Sequence, residues 1–501
     1  MQGVKTGLAL GTLAAAMVAA AEISIVPWPR DFKYVGGVYH LNKWANELTE
    51  EVFTRIDDKS VPAEGYELSV KTNGITVRCS DDAGAFYALQ TLRQIAEAPE
   101  WEWTFEALEI KDAPRFPWRG IHLDESRHFF GREAVKKLID TMSYYKFNVL
   151  HWHLVDNNGW RLQIDAFPKL TTVGATRTVP ARPMQKWIRE TQEGGTAYGP
   201  YFYTKAEVRE ILAYAKARHV TVVPEIEIPG HSKACLAAHP EMLCFREGDR
   251  GAPTNRVDNV FCVGNPKSFA FFEKVLDEVC ELFPSEVIHI GGDEVSRNNW
   301  KACPKCNGLM RERGLKDYNE LQAHMMRHFV AYLAKKGRRS LGWDEILDGG
   351  LADGAMVMSW RGPEGGIAAS KAGHDVIMNP WRFCYLDYPQ GLADGTEPVE
   401  WAWFTKYDDP ITLAKAYAFD PLEGIAPEHQ AHVKGGEALN WAECTATPAE
   451  LEWKLWPRAC ALAEVFWSGP RARPYYVFEH AMAAQRVRLV KWFGVNCAPL
   501  K

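Results

Sequence analysis

What the chain lacks narrows the field first. Its 501 residues carry no basic surplus: Lys and Arg total 58 against 64 Asp and Glu, a formal net charge of −6 with the signs interspersed. Nucleic acid or an anionic membrane surface would call for a basic patch, so neither is expected as a partner. After the amino-terminal stretch, no segment approaches the ~20 consecutive apolar residues of a spanning helix. That stretch, MQGVKTGLALGTLAAAMVAAAE, is short, rich in small residues and ends in Ala-x-Ala at Ala19 to Ala21. It reads as a secretory leader rather than an anchor, so residues 1–21 are expected to be removed on export to the periplasm or medium, leaving nothing inserted in a membrane. No cysteine lies near the cleavage region, which argues against a lipid anchor. Also missing is a partner pair for Cys303-Pro304-Lys305-Cys306, the one CxxC among eleven cysteines. A zinc site wants further ligands at suitable spacing. None is evident, so a local disulfide or free thiols are expected, with no metal and no cofactor.

What is present is a long chain, 47% hydrophobic, able to bury a large core. Residues 22–113 read as a small α+β domain. YELSV and ITVRC are strand-like, and Asn73-Gly74 between them signals a hairpin. A helix follows, with Phe86, Leu89, Leu92 and Ile95 at three-residue steps and N-cap candidates at Ser80 to Asp82. Asp112-Ala-Pro-Arg-Phe-Pro117 then breaks the pattern and marks a boundary. In residues 114–501, eight apolar runs alternate with helical stretches: RGIHLD, NVLHWHLVD, VTVVPEIEIPGH, VIHIGGDE, RSLGWDE, MVMSW, DVIMNP and EALNWAE. A capping box at Thr204 to Glu207, Asn265-Pro266 and the glycines Gly337 and Gly373 punctuate the helices. Eight βα units with two-sided apolar strands imply an α/β fold, a closed (β/α)8 TIM barrel with a C-terminal helical segment.

The site of such a barrel lies at the C-terminal ends of its strands. Polar and aromatic residues close the runs there: Asp124, Asp156, His231, Asp293, Glu294, Trp343, Asp344, Trp360, Trp441 and Glu443. Any one of them alone reads as a strand-end cap, a core histidine or a packed tryptophan; their convergence on one rim points to a site. HIGGDEV is the most telling run. Successive side chains on a strand face opposite ways, so Asp293 and Glu294 can share one pocket only where the strand has ended, and Gly291-Gly292 provides that freedom. Two carboxylates so close are expected to separate in pKa, one ionised and one holding a proton near neutral pH. Paired acids with several of the 19 tryptophans suit a sugar, whose C–H faces pack on aromatic rings.

HIGGDEV, with RGIHLDESRHFF, HWHLVDNNGWRLQI, PEIEIPGHSKA, GWDEI, MSWRG, CYLDYPQ and ALNWAE in order, resembles the glycoside hydrolase family 20 β-N-acetylhexosaminidases, across residues 115 to 445. The unit before it looks like the small domain that family carries. The resemblance implies a retaining reaction on a glycan ending in N-acetylhexosamine, in which the substrate's 2-acetamido oxygen is the nucleophile. It assigns Glu294 as acid and base, Asp293 as the group orienting the acetamido N–H, and Tyr385 as donor to its oxygen. It further implies that Arg127, Asp387 and Glu443 hold sugar hydroxyls, that Trp343, Trp360 and Trp441 box the N-acetyl group and ring, and that Asp156 with His231 tunes Glu294. Similar cysteines in the family imply a Cys244–Cys262 disulfide. Asn157-Asn158 and Glu437 depart from the family's more usual Asp, Gln and Gln, and residues 393–436 do not align readily.

Two other readings stand beside this one. His151-Trp152-His153 puts two histidines on one strand face, as a metal-dependent barrel hydrolase would. A glycan-binding barrel without catalysis is the non-enzymatic alternative, disfavoured by the intact acids and Tyr385. The choice between GlcNAc and GalNAc and the oligomeric state stay open.

Overall fold

The computed structural model describes residues 24–42, 48–96, 102–179, 196–244, 260–392 and 409–500; the leader expected over residues 1–21 lies outside them. The N-terminal unit is a five-stranded sheet of Asp31–Asn42, Glu102–Asp112, Tyr66–Lys71, Gly74–Cys79 and Thr54–Asp57, in that spatial order. The expected hairpin forms, with Lys71 opposite Gly74 across the Thr72-Asn73 turn. Helix Asp82–Ile95 covers one face, capped by Asp81, whose carboxylate accepts from the Gly84 amide. Three strands were not anticipated. In Asp31–Asn42 a register shift between Tyr34 and Val38, at Gly36 and Gly37 with φ of 92° and 100°, interrupts the alternation that marks a strand. Thr54–Asp57 is exposed along its whole length and so carries no apolar pattern.

All eight expected barrel strands form. They are Trp118–Asp124, Val149–His153, Thr221–Glu225, Val287–His289, Arg339–Trp343, Met356–Ser359, Val376–Met378 and Val433–Asn440, each parallel to the next, with the eighth pairing back on the first. Their residues are almost all buried, because helices cover the outside and side chains fill the inside. Thr204 and Glu207 make the full capping box, and Asn265 caps the helix that Pro266 begins. Among the described residues no helix is long and apolar enough to cross a membrane.

The N-terminal sheet docks where the barrel strands begin, away from the rim that carries the acids. Asp112, at the end of the sheet's Glu102–Asp112 strand, is fully buried and accepts from Lys146 Nζ at 3.0 Å, Tyr66 Oη at 2.8 Å and Trp467 Nε1 at 2.9 Å. Arg119 reaches Glu64 at 2.7 Å. Gln94 of the sheet's helix meets Gln485 and Arg488 of the last helix, Tyr475–Trp492, at 2.8 and 2.6 Å.

Inside the barrel two carboxylates organise a polar core. Glu225, from the third strand, lies 3.1 Å from His151 Nε2, 2.5 Å from His153 Nδ1 and 2.8 Å from His289 Nδ1, and accepts from Trp343 Nε1 at 2.8 Å. Glu437, from the eighth, accepts from Trp118 Nε1 at 2.8 Å and meets His151 Nδ1 at 3.0 Å. The two histidines that suggested a metal site thus turn their ring nitrogens to carboxylates of the barrel's own core. Burial alone would depress them. The negative charges of Glu437 and Glu225 outweigh it at His151 and push it up to about 9; Glu225 and the bond to Asp156 push His153 up to about 10.

A stability profile follows from those two shifts. Unfolded histidine titrates near 6.5, so between about pH 6.5 and about pH 10 the folded chain holds protons that the unfolded chain has released. Their stabilising contribution is complete below that window and is lost as pH rises through it. Thermal unfolding followed from pH 6.5 to pH 10 should show Tm falling by several degrees; a level Tm would mean that these imidazoles are neutral in the fold.

Candidate active site

The fourth strand ends at His289, and the next residues leave it sharply. Gly291 and Gly292 have φ of 64° and 104°. A Cβ on Gly291 would lie 1.9 Å from Glu227 Oε2, and one on Gly292 would lie 2.6 Å from Ile346 Cγ2. Only glycine fits either place. Glu294 itself takes φ of 46°, and His231, after the third strand, φ of 45°. These left-handed turns bring three side chains together: His231 Nε2 stands 3.3 Å from Asp293 Oδ2 and 3.5 Å from Glu294 Oε2. Asp293 is buried while the Glu294 side chain is 61% exposed.

Beside Glu294 the proton sits elsewhere than the adjacency argument expects. The hydrogen bond from His231 lowers the Glu294 carboxyl below its usual value, against the opposing effect of burial. Burial would depress His231 in turn, but the charges of Asp156 and Asp293 hold it well above the usual histidine range. The proton therefore rests on His231. An imidazolium set between two carboxylates cancels the repulsion on which the adjacency argument relied.

Behind His231 runs a chain of charged contacts. Its Nδ1 lies 3.1 Å from Asp156 Oδ1, while Asp156 Oδ2 meets His153 Nε2 at 3.0 Å and Arg127 at 2.8 Å. Arg127 also reaches Asp124 at 3.0 Å and Glu443 at 3.4 Å, and its guanidinium lies 5.0 Å from the Trp441 ring centroid. Asp124 accepts from the Ser126, Arg127 and Ala442 amides and is a cap on loop structure. Asn157 Nδ2 sits 3.4 Å from His231 Nδ1.

The aromatic wall is built from three loops. Trp360 and Tyr385 stack with centroids 6.1 Å apart and planes at 16°, and Trp441 stands 6.2 Å from Tyr385. Trp343 is fully buried, 5.7 Å from Trp441, with its indole N–H committed to Glu225, so it forms the floor beneath the wall. Two buried acceptor atoms, Asp293 Oδ1 and Asp387 Oδ1, have no hydrogen-bond partner among the described residues. Burial pushes Asp387 up to about 7, opposed by Lys454, and raises Glu443 against the pull of Arg127.

The structure adds one acid that the sequence reading passed over. Of Asp344 and Glu345 in GWDEI, Asp344 is tied to Arg361 Nε at 2.6 Å and to the Trp360 amide at 3.2 Å. Glu345 instead accepts from Trp360 Nε1 at 2.9 Å, and burial, reinforced by the charge of Asp293, pushes it up to about 8. The signal was the turn: Asp344–Leu347 is a short 3-10 helix, which swings the second acid back toward the site.

Residues 116–470 match the catalytic domain of glycosyl hydrolase family 20, and residues 38–113 match its domain 2. The chain belongs to that family. It is 42% identical over 445 residues to a β-hexosaminidase of Porphyromonas gingivalis, covering 86% of this chain and 54% of the relative, so the chain spans about half of that relative's length. A β-hexosaminidase of Akkermansia muciniphila is 34% identical over 492 residues, covering 95% of this chain and 92% of the relative. Among solved structures, the family 20 exo-β-N-acetylglucosaminidase of Vibrio harveyi in complex with N-acetylglucosamine superposes with a TM-score of 0.84 at 28% identity, over 95% of this chain and 78% of that one.

The Gly291-Gly292 turn can be tested directly. Gly291→Ala puts a methyl group into Glu227 at a left-handed position and should destabilise by about 1–3 kcal/mol, with at least a tenfold loss of glycosidase activity in the folded fraction. Gly308→Ala, on an open helical position with nothing within 4 Å of the added carbon, should leave activity unchanged and raise stability slightly, by about 0.5–1 kcal/mol. Thermal unfolding and activity of the two variants check it.

Proposed function

We propose that the protein is an exo-acting, retaining β-N-acetylhexosaminidase that removes terminal non-reducing β-linked GlcNAc or GalNAc from glycans, using the substrate's own 2-acetamido oxygen as nucleophile. One observation carries the reading: Asp293 and Glu294 meet at His231, at 3.3 and 3.5 Å, beside the Trp360–Tyr385–Trp441 wall. The β-hexosaminidase names of the relatives and the N-acetylglucosamine in the Vibrio harveyi structure support it.

In this reading the acetamido oxygen attacks the anomeric carbon as the glycosidic C–O bond breaks, and the leaving oxygen takes a proton from Glu294. The open site keeps that proton on His231. A sugar covering the exposed Glu294 strips its water and raises its affinity for the proton 3.5 Å away. Asp293, with Oδ1 unpartnered, accepts from the acetamido N–H and balances the positive oxazolinium. Tyr385 donates to the acetamido oxygen. Glu294 then takes a proton from water, which attacks the anomeric carbon and restores the acetamide with net retention. Arg127, Asp387 and Glu443 hold the ring hydroxyls, Arg127 with a fixed fork of donors. The leader-like residues 1–21 support a reaction in the periplasm or medium.

A 2-acetamido group should be essential, so an aryl β-N-acetylhexosaminide turns over and the matching β-glucoside does not. Equal rates would sink the proposal. A thiazoline mimic of the oxazolinium should bind far more tightly than substrate.

The two acids should fail differently. Glu294→Gln should slow substrates with poor leaving groups by roughly a hundredfold or more, while the first step on acidic phenols survives. Asp293→Asn should slow good and poor leaving groups alike. Pre-steady-state rates across a leaving-group series separate the two, and matching slopes in both variants would reverse the assignment.

His231 sets the upper pH limit. In His231→Asn the working proton has only Glu294 to rest on, so the alkaline limb of kcat/KM should move toward acid by several pH units. An unmoved limb would show that His231 does not store it.

A further inference from the structure

We propose that Cys244, Cys262, Cys303 and Cys306 form a structural zinc site of four thiolates, locking together the two loops that carry His231 and the Asp293–Glu294 pair. The expected Cys244–Cys262 disulfide is not formed; all four thiols are free, and the ligand pair missing from the sequence around Cys303 and Cys306 is Cys244 with Cys262. Their four sulfurs lie within 4.8 Å of one another. The separations are 3.7 Å for Cys244–Cys306, 3.6 Å for Cys262–Cys303 and 3.7 Å for Cys262–Cys306. A tetrahedron with about 2.3 Å from zinc to sulfur has edges of about 3.8 Å. A disulfide needs about 2.05 Å. Cys262 stands equally close to two sulfurs, which suits a shared centre and selects no covalent pair.

The surroundings are built for negative sulfur. Cys262, Cys303 and Cys306 are at most 1% exposed. The Gly264 amide points at Cys306 Sγ from 3.4 Å. Cys303 is the N-cap of the ten-residue helix Pro304–Arg313 and Cys306 lies in its first turn, so that helix's uncapped amide end faces the cluster. Gly264 can be nothing else: a Cβ there would lie 2.2 Å from the Lys305 carbonyl carbon and 2.4 Å from the Cys306 nitrogen. The Cys262–Gly264 segment is thus pressed onto the Cys303–Cys306 turn, as two halves of one centre would be. As zinc binds, the four S–H protons leave to solvent, and the doubly negative centre is offset by these amides. Bound thiolates would also stay unoxidised in an exported chain.

The position gives the site its use. Cys244 lies thirteen residues after His231, beyond helix Lys233–Ala238, and Cys303 lies nine residues after Glu294. Trp300 Nε1 already donates to Phe261 O at 2.8 Å, and the Phe261 amide donates to Pro229 O at 3.0 Å. Zinc would add a rigid joint to this seam.

Metal analysis tests the proposal on the full chain, after dialysis against zinc with a thiol reductant and removal of unbound metal. One zinc per chain is expected, and cobalt(II) in its place should show the sulfur-to-metal absorption of a tetrahedral tetrathiolate. Cys303→Ser/Cys306→Ser should lose the metal and melt earlier; if that variant does not fold, the wild-type cobalt spectrum decides. A chain without zinc, zinc retained by the folded double variant, a cobalt spectrum lacking thiolate absorption, or non-reducing peptide maps of freshly purified protein with these cysteines in disulfides would each overturn it.

Discussion

A carboxylate sealed inside the barrel holds much of this protein in place. An isolated charge there would cost several kcal/mol, and Glu225 avoids that by taking its partners from three other strands: His151 and His153 from the second, His289 from the fourth and Trp343 from the fifth. The same contacts that satisfy the charge also fix how those strands sit relative to one another. They extend outward as well, since His153 bonds both Glu225 and Asp156, and Asp156 bonds both Arg127 and His231. The charge state of the rim is therefore set partly from the barrel floor. Glu437 strengthens this by adding a second negative charge beside His151.

At the rim, position and charge are separate problems with separate solutions. The Gly291-Gly292 turn solves the first by letting two adjacent side chains address one pocket. His231 solves the second, because its positive charge and hydrogen bond hold the Glu294 carboxyl below its usual value in the open site. In the proposed reaction, proton transfer depends on covering Glu294, the most exposed member of the cluster, which links chemistry to occupancy.

The parts of this structure legible in the sequence were those written locally. Eight apolar runs showed as strands because burial on both faces leaves no alternation to obscure them, and the strand-end residues followed from that. The Asp31–Asn42 strand was hidden by its bulge and Thr54–Asp57 by its exposure. Glu345 was hidden by one residue of helical turn. The proton on His231 and the four-cysteine cluster were hidden for another reason: each joins segments far apart in the chain, and Cys262 and Cys303 are 41 positions apart yet in contact. Spacing rules tuned to compact metal motifs do not reach that far.

The docking of the N-terminal sheet has a consequence for synthesis. Asp112, buried at the end of one of its inner strands, has a partner in Trp467, 355 residues later, and Gln94 has one in Gln485, 391 residues later. A ribosome delivers the sheet first, but the groups that close over it come last. Part of the N-terminal unit's docking face must therefore stay uncovered through the making of the whole barrel, although Arg119 and Lys146 reach it early, and the last two helices complete the cover.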